Sequence, residues 1–145
     1  MLTMDFITLF PNMIEAALGE SIIARGARRG HLRVRTHQLR DFTLNRQKQV
    51  DDYPYGGGQG MVMTADPLFR CLEHVRQTHG PGRVILLSPQ GCVFSQAEAR
   101  RLAELDHLIF ICGRYEGVDE RFIELCVEEE IPLGDFVLTG GEIAA

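Results

Sequence analysis

The chain has 145 residues, enough for one domain with a sizeable core, and 45% of them are hydrophobic, which excludes a disordered chain. No apolar run approaches the roughly 20 residues that span a bilayer, and the start MLTMDFITLF lacks the basic residues and small-residue cleavage site of a signal peptide, so a soluble, cytoplasmic protein with no membrane partner is expected. The net charge of −5 hides an asymmetry: residues 21–50 carry seven arginines and Lys48 against Asp41 alone, a net of +7, whereas residues 101–145 carry three arginines against eleven acids, a net of −8. The basic stretch reads either as a phosphate-binding face or as solvated surface.

In chain order, TMDFITLF (3–10) reads as a buried strand ended by Pro11. One helix is expected over 11–30, with Asn12 and Glu15 as a capping box and Gly30 as its stop. HLRVRTHQL (31–39) alternates apolar and basic residues as a half-exposed strand does. A long polar, glycine-rich loop follows to about residue 64. Asp66-Pro67 then opens a helix to about His79, as N-cap and first helical residue.

Gly80-Pro81-Gly82 makes a turn before the apolar strand RVILLS (83–88). Ser95 and Glu98 form a second capping box, opening SQAEARRLAEL, and HLIFIC (107–112) is another continuous apolar strand. Asp119 caps a helix to about Glu130, and DFVLTGG (135–141) reads as a last strand. Strands alternate with helices and three strands are apolar throughout, the pattern of an α/β fold with a mostly parallel sheet covered by helices on both faces.

The cysteines Cys71, Cys92, Cys112 and Cys126 form no CxxC pair and read as reduced, buried thiols. The five histidines are scattered in sequence, so no metal constellation is legible. No GxGxxG follows the first strand, and neither GxxxxGK[ST] nor GxSxG occurs, which excludes the dinucleotide-binding, P-loop and nucleophile-elbow motifs.

Ligands of open α/β sheets bind at strand C-termini. Here those ends are glycine- or proline-rich: SPQG (88–91), GRYEG (113–117) and IPLGDFVLTGG (131–141). Such loops bring backbone amides and carbonyls directly against a ligand. The run YPYGGGQGM (53–61) is a further place where backbone can approach a phosphate or a base, with Tyr53 and Tyr55 as stacking faces.

Four stretches in this order, VDDYPYGGGQGMVM, LLSPQG, CGRYEGVDER and GDFVLTGGE, together with ITLFP at 7–11, resemble the bacterial tRNA (guanine-N1-)-methyltransferases, of the SpoU–TrmD class of knotted methyltransferases. The resemblance covers all 145 residues. It implies a deep C-terminal trefoil knot, which pattern reading alone would exclude, with Gly113, Gly117, Gly140 and Gly141 where chain segments cross closely. Residues 1–145 then correspond to a knotted domain that binds S-adenosylmethionine. The family's linker and C-terminal tRNA-binding domain fall outside the chain, as do its general-base aspartate and assisting arginine.

The implied activity is methyl transfer from S-adenosylmethionine to N1 of the guanosine 3′-adjacent to the anticodon of tRNA, with this chain a truncated, cofactor-binding half that is inactive alone. A non-catalytic RNA-binding module on the same scaffold is the alternative. Family cofactor contacts fall on Leu86, Leu87, Ser88, Pro89 and Gln90, then on Gly113, Arg114, Tyr115, Glu116 and Gly117. The third loop contributes Leu133, Gly134, Asp135, Phe136, Val137, Leu138, Gly140 and Gly141.

Glu116 is the acid beside the cofactor and the one catalytic candidate within the chain, to orient the methionine end or to help hold the magnesium implied during catalysis. The substrate side is Arg46, Tyr53, Pro54, Tyr55, Gly56, Gly57, Gly58, Gln59 and Gly60, with Lys48 beside Arg46. The resemblance also implies a homodimer.

Overall fold

The computed structural model describes residues 1–114 and 116–145. Its central sheet has five strands: β1 (Leu2–Thr8), β2 (Leu32–Gln38), β5 (Arg83–Leu87), β6 (His107–Cys112) and β7 (Glu129–Glu130). Their order is β2-β1-β6-β5-β7, and every pairing is parallel. A short antiparallel hairpin, β3 (Asp51–Asp52) with β4 (Val62–Met63), stands apart from it.

Among the described residues there are six α-helices: α1 (Pro11–Leu18), α2 (Ser21–Arg28), α3 (Ala65–His79), α4 (Gln96–Ala103), α5 (Glu120–Cys126) and α6 (Gly141–Ala144). The sheet is buried on both sides, which explains its continuous apolar strands. Ile7, Val84, Leu86, Ile109 and Ile111 pack under α3 and α5 with Leu68, Leu72, Val75 and Phe122. On the opposite face Phe6 and Cys112 pack with Ile14 of α1, while Ile85 and Leu108 pack with Leu102 of α4. No helix among the described residues is long and apolar enough to cross a membrane.

Several expectations need correction. The single helix over 11–30 is two helices. Gly19 caps the first, and Ser21 takes a left-handed φ of 56°, which redirects the chain. Neither Asn12 nor Asp66 is a cap: the N-caps are Phe10, with Pro11 at the first position, and Thr64. Glu15 instead accepts from the Thr36 hydroxyl across to β2. The polar stretch after β2 holds a 3-10 turn at Leu39–Phe42 and the β3–β4 hairpin.

The helix capped by Asp119 ends at Cys126, because the chain straightens to lay Glu129 and Glu130 beside β5. Residues 135–141 form no strand; they are a loop leading into α6. Ser95 does cap α4, its hydroxyl accepting from the Glu98 amide at 3.3 Å. All four cysteines are free. Cys71 and Cys112 are buried and Cys126 partly so, but Cys92 is exposed. Burial pushes the thiols of Cys71, Cys112 and Cys126 up, away from the reactive thiolate.

One charged residue lies inside the sheet. Asp5 of β1 is completely buried. Its carboxylate accepts from Arg35 at 2.9 and 2.8 Å and from His37 and His107 at 2.6 Å each. These donors come from β2 and β6, so the carboxylate ties three neighbouring strands together. Burial on its own would raise the Asp5 carboxyl. The hydrogen bonds from His37, Arg35 and His107, with the Arg35 charge, outweigh it and hold the group far below the usual carboxylate range.

A depressed native pKa contributes stability that is present above the unfolded value and is lost as pH falls through the native one. Removing one partner of a buried pair costs about 3–5 kcal/mol, so Asp5→Asn should lower the stability measured by urea unfolding at pH 7 by that order. The gap between wild type and variant should narrow as pH falls below about 4, where the unfolded carboxyl protonates. A constant gap from pH 7 to pH 3 would mean that the Asp5 charge contributes nothing.

Candidate functional site

A cleft of about 580 Å³ opens at the C-terminal ends of β5 and β6. The first wall is the end of β5 and its loop: Leu86, Leu87, Ser88, Pro89 and Gln90. The Ser88 hydroxyl accepts from the Gln90 amide at 3.2 Å and tightens that turn. The second wall follows β6, with Gly113, Arg114, Glu116 and Gly117. The third is Leu133, Phe136, Val137, Leu138, Gly140 and Gly141. Three segments far apart in sequence therefore meet on one cavity.

Two of the residues expected there, Gly134 and Asp135, do not line the cleft. Gly134 serves a different purpose: a Cβ on it would sit 2.3 Å from the Phe136 ring, which folds back over its backbone. Tyr115 lies outside the described residues. The structure adds residues that motif reading missed, among them Val118, Glu120, Ile123, Glu130, Pro132 and Thr139. Glu120 and Ile123 come from α5 and Glu130 from β7. Their place is set by how those elements turn back against β5, which no local pattern reveals. Burial, with the charge of Glu120 nearby, raises the Glu130 carboxyl above its usual range.

Where the third segment meets the second, there is no spare room. The Gly141 amide donates to the Gly113 carbonyl at 2.8 Å. A Cβ on Gly141 would lie 2.8 Å from the Cys112 Cα and 2.9 Å from the Gly113 nitrogen. Gly140 is equally confined, against the Arg114 side chain. Gly113 itself leaves ordinary contact space, and Gly117 is set by its φ of 146° and not by crowding, so close crossing accounts for two of the four expected glycines.

A buried polar network pins this crossing. Glu142 is nearly fully buried and accepts from the Thr8 hydroxyl at 2.7 Å and from Arg114 Nε at 2.9 Å. The Arg114 guanidinium also lies 4.3 Å over the Phe10 ring, a cation–π contact. Thr8 and Glu142 are 134 positions apart; both lie in stretches that carry the resemblance, ITLFP and GDFVLTGGE, but no sequence signal paired them.

The glycine-rich loop is the tip of the β3–β4 hairpin. Gly56, Gly57 and Gly60 have φ of 89°, 81° and 83°, which few other residues adopt. Its base is bonded to the second wall: the Glu116 amide donates to the Met61 carbonyl, the Met63 amide to the Gly117 carbonyl and the Asp119 amide to the Met63 carbonyl, each at 2.9 Å. Gly60 lies so near Glu116 that a Cβ would fall 2.2 Å from its Cγ. Tyr53 and Tyr55 are exposed, and the Arg121 guanidinium sits 5.3 Å from the Tyr55 ring. Arg46 and Lys48 are exposed upstream of the hairpin, as are Arg25, Arg28, Arg29 and Arg33 around α2 and β2. Arg35 is not part of that surface, being engaged by Asp5.

The family model described as tRNA (Guanine-1)-methyltransferase TrmD matches residues 2–145. The curated tRNA (guanine-N(1)-)-methyltransferases of Geobacter metallireducens and Staphylococcus epidermidis are 56% and 48% identical over 141 residues, which is 97% of this chain and 58% and 57% of theirs. The crystal structure of tRNA (m1G37) methyltransferase from Aquifex aeolicus matches with a TM-score of 0.90 at 37% identity, over 98% of this chain and 64% of that one. The chain thus spans less than two thirds of the length of these relatives. A fold match over nearly the whole chain implies the trefoil knot of the SPOUT fold, made where α6 returns to the end of β6. By sequence and by fold, this chain belongs to the tRNA (Guanine-1)-methyltransferase TrmD family.

Proposed function

We propose that the chain binds S-adenosylmethionine in the cleft and is the cofactor-binding part of an enzyme that methylates N1 of the guanosine 3′-adjacent to the anticodon of tRNA. The observation that carries this reading is the convergence of three strand-end loops on one cavity of about 580 Å³, a volume typical of small-molecule sites. Leu87, Leu133 and Leu138 all line it and supply apolar walls for adenine, whose edge the glycine-rich backbone can read. The sulfonium and ammonium of the donor are cationic, and Glu116, Glu120 and Glu130 place carboxylates around the same cavity. These are hard oxygen donors of the kind that suit magnesium, so a role for Glu116 in holding that ion during catalysis fits the chemistry.

The reaction is an in-line displacement. The N1 lone pair of guanine forms a bond to the methyl carbon while the carbon–sulfur bond breaks, and that electron pair leaves on sulfur. The N1 proton passes to a general base. In the family that base and the donor facing O6 fall outside residues 1–145, so the work of this chain is to bind and orient the donor. Glu116, at the junction of the cleft and the glycine hairpin, orients the methionine end. The exposed Tyr53 and Tyr55 offer stacking faces to unpaired bases, and the basic α2–β2 surface offers phosphate contacts. Exposed apolar side chains beside the cleft, Phe136, Val137 and Ile143, support assembly as a homodimer, and the enzyme is expected to act in the cytoplasm.

Calorimetry with S-adenosylmethionine tests this reading. The chain should bind one equivalent saturably, while transferring no labelled methyl group to unmodified tRNA on its own. Gly141→Val should abolish that binding while circular dichroism still reports a folded chain, since the crossing has no room for a branched side chain. No saturable binding by the wild-type chain would favour a non-catalytic RNA-binding module.

The basic surface is tested separately. Replacing Arg28 and Arg29 together should reduce the slope of log affinity against log salt for tRNA by about one to two if both contact phosphate. An unchanged slope would leave this face as solvated surface.

A further inference from the structure

Three consecutive acids, Glu128, Glu129 and Glu130, run along the edge of the sheet beside β5 and are used differently. Glu128 accepts from the Val84 amide at 2.8 Å and from Arg83 at 3.3 Å. Glu129 is tied to Arg101 of α4 and to Arg83. Among the described residues no group donates to the Glu130 carboxylate, which lines the cleft instead. Successive residues of a strand point to opposite faces of the sheet. Glu129 reaches α4 on one face, so Glu130 turns to the other, where Glu120 and Ile123 of α5 line the same cavity.

The backbone of Glu130 is fixed from two sides. In the β5–β7 ladder it stands beside Leu86, and the next amide, Ile131, donates to the Leu86 carbonyl at 3.0 Å. Gly91, at a φ of 97°, lies so close that a Cβ on it would overlap the Glu130 carbonyl oxygen. The acid thus stands at the C-terminal end of the strand next to β5, whose own end opens into the first wall of the cleft. Leu87, an apolar wall of the cleft, follows Leu86 directly. Leu133, another such wall, comes three residues after Glu130, within about 10 Å of extended chain. One nucleoside can span that interval.

Resting on the reading of the cleft as the donor site, we propose that Glu130 accepts from the ribose hydroxyls of the bound donor and so selects a ribonucleoside. An ionised carboxylate is acceptor-only and offers two oxygens, which suits two neighbouring hydroxyl donors. Parallel sheets that bind dinucleotides likewise give the ribose 2′-hydroxyl to an Asp or Glu. Adenine held between Leu87, Leu133 and Leu138 leaves its ribose on the Glu130 side of those walls. Burial and the Glu120 charge raise the Glu130 carboxyl in the empty cleft, so hydroxyls that donate to it relieve a carboxylate with no other donor among the described residues. Glu116, on the second wall, remains for the methionine end.

The test is calorimetry on the 145-residue chain with S-adenosylmethionine and S-adenosylhomocysteine, and displacement of the latter by adenosine and by 2′,3′-dideoxyadenosine. Glu130→Ala should weaken S-adenosylmethionine and S-adenosylhomocysteine alike, by about tenfold or more, because both carry the ribose. Glu130→Gln, which keeps the shape and one acceptor oxygen, should lose less in the same direction, and thermal unfolding checks that both variants are folded. The wild type should prefer adenosine to the dideoxy analogue, and that preference should vanish in Glu130→Ala. The proposal is overturned if both variants bind like wild type, or if the preference for adenosine survives in Glu130→Ala. It is also overturned if the loss spares S-adenosylhomocysteine, which would set Glu130 against the sulfonium charge. Those outcomes remove the role of Glu130 alone, whereas no saturable binding of S-adenosylmethionine by the wild type would overturn it together with the reading of the cleft.

Discussion

The backbone of Gly141 rests on the backbone of Cys112 and Gly113 with no space for even a methyl group between them. Everything that shapes the cleft depends on that approach. It brings the third wall, which otherwise belongs to the end of the chain, against the loop that leaves β6. A short hydrogen bond from Gly141 to Gly113 fixes the spacing. Glu142, one residue on, fixes the orientation by holding Thr8 of β1 and Arg114 of the second wall at once. A buried carboxylate is costly unless its lone pairs are used, and here a hydroxyl and a guanidinium use them. Four residues of helix would ordinarily fray; these are held from both sides.

The same second wall also carries the glycine hairpin. Three backbone hydrogen bonds join Met61 and Met63 to Glu116, Gly117 and Asp119. The hairpin is therefore not a free linker, although its tip is exposed. Its glycines answer two separate demands. Gly56 and Gly57 take left-handed backbone in open space, while Gly60 must also let Glu116 pass. A displacement of Glu116 or Gly117 would be felt directly at the base of the hairpin that carries Tyr53 and Tyr55.

The parts legible in the sequence are those fixed by local chemistry. Continuous apolar runs marked β5 and β6 to within a residue, because strands buried on both faces have no polar side to show. Ser95 announced its cap. The glycine- and proline-rich strand ends pointed to the walls of the cleft, since ligands of parallel sheets sit there. Long-range contacts were not legible. Nothing near Asp5 indicates that His107, 102 positions away, will donate to it. Glu142 closes the GDFVLTGGE stretch, yet nothing around it indicates that it will accept from Thr8. The apparent strand at 135–141 failed for the same reason: its apolar residues face the cleft and the solvent instead of pairing with a neighbour. The helix over 11–30 failed at Gly19, where propensity gave way to the need to send α2 across the sheet edge.

Native-state hydrogen exchange at the Gly141 amide tests the central claim most directly. A four-residue terminal helix that merely leans on the domain would exchange by local fraying, at a small opening free energy. If the crossing organises the cleft, the Gly141 amide should instead exchange at a free energy close to that of global unfolding, alongside amides of β6 such as Ile111. Protection of β6 with rapid exchange at Gly141 would contradict the account and detach the third wall from the site it is held to build.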